Sequence, residues 1–290
     1  MVNGPYILPP EFYMRAKKAV ISAARKTSIC RDLVSVQANL GGVGVQNWSW
    51  NKEGEMSDAQ LSWNFTQTSE DQIALSRDST RIPVLHKEFK LDYRDLAAAQ
   101  ANGYPLTTKN ISAASYKVMN LENKLILDGW NPKGTTTASD YEVKGLYQQA
   151  GNEVTDSLDF GTYGNALAAI KAAKIKFIED EIYGPFNLVI NDVQSFELEQ
   201  SEHSTKDLME WDQVTRILNG GRIITTPFQP VNTGLVIPMK DALQAEMLIT
   251  QDMSMYTEQE AKTRDFWGQI YECVTLVVYE PNSICRLTKI

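Results

Sequence analysis

Histidine is nearly absent from this chain of 290 residues, with only His86 and His203 present. Two histidines far apart cannot assemble a histidine-rich metal site or the spacing of a zinc motif locally. Cysteine is scarce as well. Cys30, Cys273 and Cys285 are odd in number, distant in sequence and set in apolar surroundings. That pattern excludes a disulfide framework and predicts buried, reduced thiols in a cytoplasmic protein. No apolar run approaches the ~20 residues of a membrane span. The segment from Met1 to Pro10 lacks a basic region followed by an apolar stretch, so neither a membrane nor export by a signal peptide is expected. Positive charge is in deficit too: 36 acidic and 28 basic residues give a net charge of −8, spread along the sequence. Such a balance argues against a surface devoted to phosphate backbones, and nucleic acid is not an expected partner.

The usual catalytic signatures are also missing. Gly41-Gly42-Val43-Gly44 lacks the Lys-Ser/Thr ending of a P-loop and opens no helical pattern, so it reads as a turn. No Gly-x-Ser-x-Gly elbow occurs, and no cysteine has a histidine close by in sequence. Glu179, Asp180 and Glu181 are consecutive, and consecutive helical positions point in different directions. They read as a solvated face and not as a pair of catalytic carboxylates. No catalytic residue, metal ligand or cofactor is therefore assigned, and the chain is not expected to be an enzyme.

What is present is the material of a folded globule: 43% hydrophobic and 22% charged residues, with length for one large domain or two modest ones. Phe12, Ala16, Ala19, Val20, Ala23 and Thr27 recur at helical spacing and predict an amphipathic helix over residues 11–28. From Trp48 to Leu75 aromatic and polar residues alternate, which predicts a long two-stranded excursion. An isolated hairpin is marginal in water, so this one should lie against something else, such as another subunit. Ile111, Ala114, Val118, Leu121 and Leu125 predict a helix that stops at Asp128-Gly129. A further helix is predicted from Gly161 to Tyr183, followed by a buried strand from Phe186 to Asn191. Short β-type runs follow at Arg222–Thr226, Gly234–Ile237 and Met247–Ile249, and a strongly β-forming stretch closes the chain from Tyr271 to Leu287. The fold class is α+β.

Three blocks occur in order: Tyr183-Gly184-Pro185-Phe186-Asn187-Leu188-Val189-Ile190-Asn191, then Leu218-Asn219-Gly220-Gly221-Arg222-Ile223-Ile224-Thr225-Thr226-Pro227, then Gln251-Asp252-Met253-Ser254-Met255-Tyr256. Together they resemble the successive signatures of encapsulin shell proteins. The segments around Arg31-Asp32-Leu33-Val34-Ser35-Val36 and from Glu272 to Leu287 are similar as well. The resemblance implies the tailed-phage major capsid fold of the Hong Kong phage type, with a peripheral domain, an axial domain and an extended loop. Mapped on this chain it implies an N-terminal helix and the start of the peripheral domain over 1–47, and an extended loop over 48–84. The peripheral domain with its spine helix would cover 85–183, the axial domain 184–255 and returning peripheral strands 256–290.

The same resemblance implies function. Such subunits assemble with themselves into icosahedral cages around cargo enzymes, commonly peroxidases or ferritin-like proteins serving iron storage or oxidative stress. Cargo is held through a C-terminal targeting peptide, and the matching dock positions here are Arg31, Leu33, Val34 and Ser35. The loop from Glu199 to Lys206 would lie at the five-fold axis, where Glu199, Glu202, His203 and Lys206 would line a pore. Alternative readings are a viral major capsid protein of the same fold and, in another class, a hydrolase or peptidase.

Overall fold

The computed structural model describes residues 18, 20, 28–53, 73, 75–102, 106–134, 140–155, 158–200, 209–240, 245–260 and 263–290. Most of the predicted N-terminal helix lies outside them.

Two sheets organise the chain. The first has the order β1 (Ser35–Ala38), β11 (Ala245–Gln259), β12 (Phe266–Val278), β4 (Val84–Leu91). β1 runs parallel to β11, and the other two pairings are antiparallel. Helix α3 (Leu106–Leu127) packs across β4 and β12. Its apolar stripe, Ile111, Ala114, Val118 and Leu125, meets Leu85, Ile270, Val274 and Leu276 in one core, as the helical spacing predicted. The helix ends where it should. Gly129 sits at φ +102°, and an added Cβ would lie 2.5 Å from the Val143 carbonyl oxygen, so only glycine fits this stop.

The second sheet has the order β7 (Asn152–Val154), β13 (Cys285–Thr288), β10 (Thr233–Pro238), β8 (Phe186–Ile190), β9 (Ile223–Thr225). All five residues of β8 are buried, because the sheet is covered on both faces. Val189, Leu235 and Ile237 face the first core, while Leu188, Ile190 and Val236 face a second core built with Ala169, Ile170, Ala173 and Phe177. Those four belong to helix α5 (Asn165–Glu179), and α7 (Glu210–Ile217) packs against both α5 and α6 (Asp192–Gln200). Gly221 approaches β8 so closely that a Cβ would fall 1.6 Å from the Phe186 oxygen, and Gly220 before it takes φ +97°, so both positions of the Asn219-Gly220-Gly221 turn call for glycine.

Helix α5 is shorter than the predicted span from Gly161 to Tyr183. Gly164 takes φ +97° ahead of its first turn, and the cap comes from a distance. The Glu210 carboxylate accepts from the backbone N–H of Gly164 and of Leu167, each at 3.0 Å, placing a buried carboxylate at the positive end of the helix. At the other end Glu181 turns left-handed at φ 59°, and Ile182 N–H reaches back to the Phe177 carbonyl at 2.7 Å.

Each of the two cores draws residues from more than one of the expected ranges. Helix α5, expected as the spine of the peripheral unit, shares the second core with β8 and β10. The long helix lying along the first sheet is α3. The last stretch divides between the sheets at a 3-10 turn over Pro281–Ser283, with β12 in the first and β13 in the second. The run Met247–Ile249 is part of a strand of 15 residues.

Strands β2 (Asn47–Glu53) and β3 (Leu75–Arg81) pair antiparallel from Asn47↔Arg81 to Glu53↔Leu75, giving the two-stranded excursion its stem. The Trp50 ring meets Tyr279 edge-on with centroids 6.3 Å apart, so this stem is anchored on the segment that follows β12.

Candidate functional site

The short helix α1 (Cys30–Leu33) is the point where the expected cargo dock meets the core. Its Arg31 forms a two-pronged contact with Glu122 of α3: Nε donates to Oε1 at 3.0 Å and Nη2 to Oε2 at 2.7 Å. Nη2 also donates to Glu272 Oε1 of β12, and Nη1 lies 3.6 Å from Asp252 Oδ1 of β11. Asp252 reaches this position where the β11 to β12 register slips between Gln251 and Ser254. Cys30 is tied to the same helix, its N–H donating to Asn123 Oδ1 at 3.2 Å and its thiol to the Asn123 carbonyl at 3.5 Å. Lys240 Nζ closes the cluster by donating to the Arg31 carbonyl at 2.9 Å.

Both glutamate side chains are 0% exposed, while that of Arg31 keeps 24%. Burial, and next the charge of Glu122, push the Glu272 carboxyl up to about 9 despite the guanidinium beside it. Burial and the facing Glu122 thus favour the protonated form of Glu272, and the two carboxyls share a single guanidinium. Burial works against the Arg31 charge, but its hydrogen bonds and the surrounding carboxylates hold it protonated above its ordinary value. Burial likewise raises the Cys30 thiol well above its usual range, and pushes Cys285 up to about 12. All three cysteines are free and buried, as their settings predicted.

This arrangement differs from an open dock. Leu33 and Val34 are 1% and 0% exposed and belong to the first core, so neither offers surface to a peptide. Arg31 is engaged by two carboxylates that sequence reasoning did not assign to it. Of the four dock positions, only Ser35, half-buried at the start of β1, combines partial access with no engagement in that cluster. β1 is an edge strand. Of the pore positions, Glu199 is exposed in the last turn of α6, while Glu202, His203 and Lys206 lie outside the described residues. Asp180 is not simply solvated: it accepts hydrogen bonds from Asn152 at 2.6 Å and Asn282 at 3.3 Å. β4 ends at Leu91, and Tyr93 opens a helix, α2 (Tyr93–Ala101).

Signals for the missed acids were present. Glu122 falls four residues after Val118 on the apolar stripe of α3, and Glu272 shares the strand parity of Ile270 and Val274. A carboxylate on a buried stripe needs a partner, and the partner here comes from the other end of the sequence.

The Linocin_M18 family, described as encapsulating protein for peroxidase, matches residues 8–275. The chain belongs to this encapsulin family. It is 22% identical over 281 residues to the type 1 encapsulin shell protein of Myxococcus xanthus, covering 97% of this chain and 93% of that one. Its fold is similar to that of the virus-like particle from Pyrococcus furiosus, with a TM-score of 0.63, 17% identity, and 96% of this chain and 99% of that chain covered. The capsid of Myoviridae Phage XM1 gives a TM-score of 0.66 at 18% identity, with 91% and 92% covered. The fold of this encapsulin is thus the tailed-phage capsid fold, an α+β arrangement.

Proposed function

We propose that this encapsulin is the shell subunit of a cytoplasmic nanocompartment: identical copies close into an icosahedral cage, and the chemistry belongs to a cargo enzyme inside. The observation that carries the reading is the family match along nearly the whole chain, joined to a capsid fold. Closure needs mutually complementary patches on one subunit and no cofactor. The purified chain is expected to form hollow particles that persist on dilution, since obligate interfaces commonly bury ~2,000 Å² or more. A stable monomer or dimer by light scattering at physiological salt would overturn the reading. Because phage capsids share the fold as closely as the virus-like particle does, the absorbance ratio of the particles decides between cargo protein and a packaged genome.

Cargo is proposed to bind through an apolar C-terminal targeting peptide at the edge of β1, with Leu33 and Val34 supporting the wall from beneath. Each dock can be weak, because an oligomeric cargo presents several tails to many docks. Since Val34 is fully buried, a charge there would break the fold, and Ser35 is the informative position. Ser35→Arg should leave particles intact and reduce co-purifying cargo severalfold. Undiminished cargo in intact particles removes this edge from the dock.

At the five-fold axis, Glu199 is proposed to form an acidic ring with Glu202, opposed by Lys206, with His203 making passage depend on pH near ~6.5. Replacing both glutamates with glutamine should slow uptake of a divalent cation into loaded shells. Unchanged uptake would end this assignment.

A further inference from the structure

The second core leaves two helices with apolar side chains in solvent. On α5, Ile175 and Ile178 are each 57% exposed; on α6, Val193 and Phe196 are 47% and 65% exposed. Each pair is spaced three apart, so each forms a short ridge along its helix. The helix between them behaves differently: on α7 the exposed residues are Asp212, Thr215 and Arg216, all polar. Within these three helices apolar exposure falls on the two flanking ones, while Met209, just ahead of α7, and Tyr183, beyond α5, are exposed outside them.

Charge separates the same two helices. α5 carries Lys171, Lys174 and Lys176 against Glu179 alone, whereas α6 carries Asp192, Glu197 and Glu199 and no base. Lys171 is exposed one turn before Ile175, and Asp192 is exposed one turn before Phe196. Each ridge thus has an apolar centre and a charged flank, and the flanks have opposite sign. Two like copies of either ridge would set equal charges together; one of each would not. Different, complementary patches on one subunit are what a head-to-tail ring needs.

Resting on the shell reading above, we infer that the α6 ridge of one subunit, centred on Phe196, docks on the α5 ridge of the next copy, centred on Ile175 and Ile178. The contact is heterologous. Lys171 lies against the acidic face of the neighbour's helix.

The test uses assembled particles of the full chain. Ile175→Cys and Phe196→Cys are made singly and together, and particles are treated with a short bis-maleimide. The native cysteines are all buried, so the reagent reads the introduced pair. The double variant should give a ladder of covalent dimers and larger species on denaturing gels, and neither single variant should give dimers. Intact particles without a ladder, or dimers from one single variant, would overturn the inference. If the unsubstituted chain forms no particles, the shell reading fails instead. Where the cysteines themselves disturb assembly, charge reversal decides: Lys171→Glu and Asp192→Lys should each shift subunits from particles to free species, and the pair together should restore particles. Failure of that restoration also overturns it.

Discussion

Replacing Arg31 with methionine should destabilise the subunit by about 3–5 kcal/mol, the cost of leaving a buried charge without its partner. Two carboxyl groups with no exposure face this guanidinium, and neither has another cation in contact with it among the described residues. Adding Glu122→Gln to the methionine variant should recover most of the loss, because it removes the orphaned charge and not merely a contact. Arg31→Lys should fall between, since an ammonium cannot reproduce the paired donation from Nε and Nη2. Urea unfolding of the three variants checks the order. Equal destabilisation by Arg31→Met with and without Glu122→Gln would show that lost packing, and not charge, sets the cost.

The second large effect is one of pH. The Glu272 carboxyl is raised to about 9 by burial and by Glu122, whereas an unfolded glutamate titrates near ~4.3. Between those values the folded chain holds a proton that the unfolded chain has released, so its stabilising preference is complete below ~4.3 and is lost as pH rises toward 9. Each pH unit in which only the folded chain holds that proton is worth at most about 1.4 kcal/mol. Glu272→Gln fixes the neutral form and should flatten the slope on the alkaline side. Thermal scans of assembled shells between pH 6 and ~9, at one protein concentration and one scan rate, compare the two. Parallel slopes would mean that the proton sits elsewhere in the cluster.

Which parts of this structure could be read in advance follows from the range of the interactions. The stripe on α3 and the apolar run of β8 were legible because both patterns are local. The ends of α5 were not, since its cap is Glu210, far along the chain. The length of β11 was hidden because its second half carries Gln251, Asp252, Ser254 and Glu258 at partly or fully exposed positions. Nothing local distinguishes strands bound for the first sheet from those bound for the second. That is why the expected domain limits cross both cores. The dock shows the same boundary: the residues Arg31 to Ser35 were found through resemblance, but the burial of Leu33 and Val34 depends on α3 and β12 closing over them.

The position of β13 has a consequence for synthesis. This strand lies inside the second sheet, hydrogen-bonded to β7 on one side and β10 on the other, and Leu287 and Ile290 fill the core beneath it. A nascent chain emerging from the ribosome has neither core complete until these residues are out. Until then α5, with its ridge, stands on a core still lacking that strand. Completion of the fold, and with it competence to associate, therefore waits until residues 285–290 have left the ribosome.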